Sequence, residues 1–172
     1  MKVSTRDIDA AFGSDAVPSL GEFVDFDGFD ELDKEYAVRE FLGKSQDEFY
    51  QNIKTGTFGS ISAIESWAVL KHSALIFYMA PYLKYIAYDI DDDPNEDETV
   101  HFFFYYFNEY IRIYGPIPLD RRQCEVLLAL IEGLLRHVQG AQPSSSESPE
   151  WQLELIEDLK KLEGSLRSFD NC

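Results

Sequence analysis

The chain has 172 residues, 45 % hydrophobic and 15 % aromatic, with 32 acidic against 15 basic side chains and a formal charge of −17. That much apolar material is incompatible with global disorder and supplies a core for one domain. The acidity argues against a nucleic-acid partner, because phosphate backbones are bound by basic surface.

In chain order the elements read as helices with clear punctuation. Residues 7–12 form a short helix with Ile8, Ala11 and Phe12 on one side. Residues 13–32 form an extended acidic segment pinned by Phe23, Phe26 and Phe29. A helix over 33–42 carries Tyr36, Val38, Phe41 and Leu42 and stops at Gly43. Ser45, with Glu48 three residues on, is a capping box opening a helix to about Lys54. Ile64, Trp67, Ala68 and Leu70 continue the helical pattern over 62–71. The run HSALIFYMAPYLKYIAY is apolar nearly all round, and Pro81 kinks it or begins a new helix. Residues 89–97 are a loop by composition, followed by an aromatic helix over 96–114 that ends at Gly115-Pro116. Asp120 with Gln123 opens a helix to Val138 with Gly140 as its stop. Residues 141–148 are a flexible linker. Ser148 and Pro149 start an amphipathic helix over 149–172 with the stripe Trp151, Leu155, Leu159, Leu162 and Leu166. With no strand-period alternation, the expected fold is all-α. It is a single compact bundle of six to seven helices over residues 1–140, with a linker-attached C-terminal helix.

The charge is localised. Residues 22–35, 89–98 and 147–163 carry net charges of −6, −7 and −4, and the remainder has twelve acids and twelve bases. In residues 89–98 the alternation Asp89, Asp91, Asp93, Asn95, Asp97 mimics a calcium loop. Pro94 stands where an EF-hand needs glycine, however, and Val100 where it needs glutamate. Glu98-x-x-His101 has di-iron spacing, but the second copy and the two further glutamates that such sites need are absent. Gly43-Lys44-Ser45 follows a helix and has Val38 in place of the upstream P-loop glycine. The expectation is therefore no metal, no cofactor and no catalytic residue. Cys124 and Cys172 read as free thiols, with Cys124 a half-buried structural cysteine. The N-terminal residues carry no apolar leader and no run spans a membrane, so a cytoplasmic protein is expected.

Three short elements also carry a family resemblance: Ile8-Asp9-Ala10-Ala11-Phe12, Phe41-Leu42-Gly43-Lys44-Ser45, and Tyr78-Met79-Ala80-Pro81-Tyr82-Leu83. In order and spacing they resemble a family of short bacterial all-α proteins of unknown function, over about residues 6–138. The resemblance implies a helical domain and no particular activity.

On the aromatic helix, Phe103, Phe104, Phe107, Ile111 and Tyr114 make an apolar face, while His101, Tyr105, Asn108 and Arg112 form a polar stripe. The expected function is a non-enzymatic interaction protein of immunity or antitoxin type, which masks a basic protein such as a toxin domain. Asp89, Asp91, Asp92, Asp93, Asp97 and Glu98 would contact that partner, with Asp25, Asp27 and Asp30 as a second patch. The alternative is a small-ligand protein or enzyme using His101, Tyr105, Asn108 and Arg112 in a pocket completed by Tyr78 or Tyr82. A third reading is a homo-oligomer formed through Trp151, Leu155 and Leu159.

Overall fold

The computed structural model describes residues 3–23, 31–55, 69–88, 96–140, 150–169 and 172. Its helices are α1 (Thr5–Phe12), α2 (Leu20–Phe23), α3 (Glu31–Phe41), α4 (Gln46–Lys54), α5 (His72–Tyr88), α6 (Glu96–Tyr114), α7 (Arg121–Gly140) and α8 (Glu150–Arg167). The fold is all-α, as expected, with no β-strand among the described residues. The helix expected over 62–71, the linker 141–148 and the Ser148–Pro149 start lie outside the described residues or at their edge.

Local chemistry sets the helix ends. Ser4 Oγ accepts from the Asp7 amide while the Asp7 carboxylate accepts from the Ser4 amide, and Ser45 with Glu48 repeats this arrangement. At the start of α2 the Glu22 carboxylate accepts from both the Ser19 amide and the Ser19 hydroxyl. Gly43 and Gly115, at φ of +78° and +80°, end α3 and α6 in the left-handed conformation that glycine adopts without strain. The Gly43-Lys44-Ser45 run is thereby explained as punctuation. Gly43 turns the chain, Lys44 Nζ donates to the Glu40 carbonyl at 2.5 Å, and Ser45 caps α4.

A polar joint ties α1, α4 and α5 together. Pro81 lies inside α5 and lacks the amide that would bond the Phe77 carbonyl. Gln46 Nε2 supplies the missing donor at 2.7 Å, donates to the Phe12 carbonyl at 2.9 Å, and Gln46 Oε1 accepts from the Ser14 amide at 3.2 Å. The helix therefore continues through Pro81, which decides against a new helix beginning there, the second of the two expected alternatives. Around the joint, Phe41, Phe49, Tyr78 and Tyr82 are buried, with ring centroids about 5 Å apart. Tyr78 Oη lies 2.5 Å from the Phe41 carbonyl and 3.1 Å from that of Lys44, and burial raises its pKa well above the usual phenol value. Residues 8–12, 41–45 and 78–83 converge here, where Phe12, Phe41 and Lys44 offer carbonyls to Gln46 and Tyr78.

The C-terminal helix is part of this same core. α8 packs on α6 and α7, and Leu155, Leu159, Leu162 and Leu166 are buried. Each contributes about 2 kcal/mol of apolar burial. Gln152 Nε2 donates to the Val138 carbonyl at 2.7 Å at one end of the α7/α8 pair, and Arg167 reaches Glu132 at 3.3 Å toward the other. Leu155 and Leu159, which the third reading offers to a second copy, are covered by the chain's own helices.

Cys124 and Cys172 form a disulfide, with Cα atoms 5.3 Å apart, which corrects the reading of free thiols. The reason is topological. α8 runs back along α7, and beyond Arg167 Cys172 meets the first turn of α7, a return that a sequence separation of 48 conceals. No helix among the described residues is long and apolar enough to cross a membrane.

Candidate functional site

Among the described residues, an open notch of about 250 Å³ lies between α6 and α8, lined by His101, Tyr105, Glu154, Glu157 and Asp158. α6 buries Phe103, Phe104 and Phe107, which turns the neighbouring positions His101 and Tyr105 outward. α8 buries Leu155 and Leu159, and the residues flanking that stripe, Glu154 and Asp158, face α6 one turn apart.

His101 Nε2 lies 3.5 Å from Asp158 Oδ2 and 3.8 Å from Glu154 Oε2. Asn108 holds Asp158 from behind: its Nδ2 donates to the Asp158 carbonyl at 2.9 Å and to Oδ1 at 3.1 Å. Asn108 is itself buried, and its Oδ1 has no hydrogen-bond partner. Burial raises the Asp158 carboxyl above its ordinary pKa, and the Asn108 hydrogen bond, His101 and Lys161 each pull it back down. Tyr105 is 43 % exposed, and Leu153, one turn before Glu157 on α8, is 58 % exposed. The site is rich in acceptors, short of donors, and lined on one side by an aromatic side chain.

Of the expected polar stripe, His101 and Tyr105 line the notch and Asn108 braces it. Arg112 does not take part: it stands on the surface, bonded to Glu109 at 2.7 Å, and each partner stabilises the other's charged form. Tyr78 and Tyr82 do not complete the pocket either, because both are packed in the core beside α4. Asp25, Asp27, Asp30, Asp89, Asp91, Asp92 and Asp93 lie outside the described residues, as do the side chains of Asp97 and Glu98. Glu154, Glu157 and Asp158 were missed. Their i, i+3, i+4 spacing beside the leucine stripe was the available signal. Among the described residues no group of three or more histidine, cysteine and carboxylate side chains is arranged to hold a metal.

Compared with protein-family models, with curated proteins and with solved structures, the chain finds no match in any of the three.

Proposed function

We propose that this is a binding protein for a basic protein partner, and that the α6/α8 notch receives a lysine or arginine side chain of that partner. The observation that carries the reading is the donor–acceptor imbalance of the notch. Glu154, Glu157 and Asp158 converge on one opening, with a single histidine among them. An ammonium or guanidinium group offers only donors and positive charge, the complement of such a site. Tyr105 adds an aromatic wall for the cation.

Size favours a side chain over a free ligand. Small-molecule pockets run from roughly 300 to 1,000 Å³ and enclose most of their ligand, whereas this notch is smaller and open. The acidic stretch 89–98 leads directly into the helix that carries His101, so its charge adds steering toward the same partner. An immunity or antitoxin role, in which the chain masks a basic toxin surface, is the concrete biological form of this reading, with the cytoplasm as its setting.

The test is titration calorimetry of the full chain with an arginine-rich peptide at low and high salt, repeated with Glu154→Gln/Glu157→Gln. We expect salt-sensitive binding that weakens at least about tenfold in the variant. Equal affinity of the two proteins would overturn the notch. Saturable binding of free arginine as tight as that of the peptide would favour the small-ligand reading instead.

A further inference from the structure

Outside the notch, the feature without an assigned role is the Cys124–Cys172 bond. We propose that it is a reversible redox clasp, which ties the tail after α8 to the first turn of α7 and opens under reducing thiols while the helices stay packed. The proposal does not depend on the docking function.

Three observations carry it. First, the two residues differ in exposure: Cys124 is fully buried, whereas Cys172 is exposed, so Cys172 is the side from which a thiol would approach. Second, among the described residues after α8, the backbone hydrogen bonds of Ser168, Phe169 and Cys172 are short-range ones. Ser168 and Phe169 bond back to Ser165 and Leu166, and Cys172 bonds to Phe169, while the disulfide and the packing of Phe169 connect these residues to the rest of the molecule. Third, α8 does not need the clasp to remain docked, because four buried leucines, Gln152 and Arg167 hold it to α6 and α7. Reduction therefore releases a local segment rather than the core, which is the condition for a switch and not merely a brace.

The chemistry balances with a dithiol as reductant. One of its thiolates attacks Cys172 Sγ, forming a mixed disulfide and expelling the Cys124 sulfur as thiolate, which takes up a proton. The second thiol then attacks the mixed disulfide, freeing Cys172 as a thiol and leaving the dithiol as a cyclic disulfide. The leaving sulfur sits in the first turn of α7. In a cytoplasmic setting the bond faces a reducing pool, and in an oxidising compartment it stays closed.

The experiment treats the full chain, purified without reductant, with dithiothreitol in native buffer. It follows thiol alkylation by mass spectrometry alongside far-UV circular dichroism. We expect no alkylation before reduction. After reduction we expect two thiols with helicity retained, Cys172 reacting at least about tenfold faster than Cys124, and re-closure on adding oxidised dithiothreitol. The Cys172→Ser variant should show the helicity of the reduced protein and slow alkylation of its single thiol. Two reactive thiols in the untreated protein, a bond that opens only in denaturant, or loss of helicity on reduction would each overturn the proposal.

Discussion

The joint at Gln46 and the notch at Asp158 both pair helices through buried or half-buried polar groups, yet they solve the problem oppositely. At the joint every polar atom of Gln46 is matched: two donations from Nε2 and one acceptance at Oε1 satisfy backbone groups of α1, α5 and the segment after α1. At the notch the balance is left open. Asp158 is held by Asn108, but Asn108 Oδ1 has no partner and three carboxylates share one histidine. A closed polar network serves packing, because any loss leaves buried groups unpaired. An open, acceptor-rich one is suited to a partner that brings donors. The difference separates the part of the molecule that holds the fold from the part that presents a surface.

The largest expected effect breaks the closed side. Gln46→Ala leaves the Phe77 and Phe12 carbonyls and the Ser14 amide without partners, and should cost about 3 kcal/mol of unfolding free energy in urea titrations. The open side should respond the other way round. Glu154→Gln/Glu157→Gln should lose at least about tenfold in affinity for a basic peptide, roughly 1.4 kcal/mol, with stability within about 0.5 kcal/mol of the parent. A stability loss there comparable to that of Gln46→Ala would erase the distinction.

A smaller effect tests the logic of the joint. Pro81→Ala restores an amide for the Phe77 carbonyl, so Gln46→Ala should cost less in that background. A double-mutant cycle should give a coupling of about 1 kcal/mol, and simple additivity would show that Gln46 does not stand in for the missing donor.

The smallest effect is a sign. Asp158 has its folded pKa raised by burial, so its contribution to stability is present in acid and lost as pH rises through the folded value. Glu48, which caps α4 beside the joint, is lowered by its hydrogen bonds from Ser45, so its contribution is present above the unfolded value and lost as pH falls. Melting temperatures between about pH 3 and 7 should show Asp158→Asn gaining on the parent as pH rises and Glu48→Gln losing to it. Asp158→Asn retains an acceptor for Asn108, so its stability at neutral pH should not fall. Parallel shifts in the two variants would contradict the assigned environments.

Much of the secondary structure was legible because its signals are local. Ser45-x-x-Glu48, Asp120-x-x-Gln123, Gly43 and Gly115 act through bonds and backbone angles within one turn, and all four mark helix ends where the pattern placed them. The Trp151 to Leu166 stripe likewise announced a helix with one buried face. The site was half legible. His101 and Tyr105 were visible as a stripe on α6, but the carboxylates opposite them belong to a helix some fifty positions away, and Arg112 was included by periodicity although its guanidinium bonds Glu109 on its own helix.

The sequence by itself determined the helices, their caps, the apolar faces and the confinement of charge to three stretches, since these depend on neighbours within a few residues. Only the tertiary structure decided what meets what. Gln46 serves a carbonyl freed by Pro81, Cys124 finds Cys172, and an acidic row on α8 faces a histidine on α6. Those pairings follow from how the apolar faces dock, because burying each stripe fixes the rotation of its helix and so chooses which polar side chains are brought together.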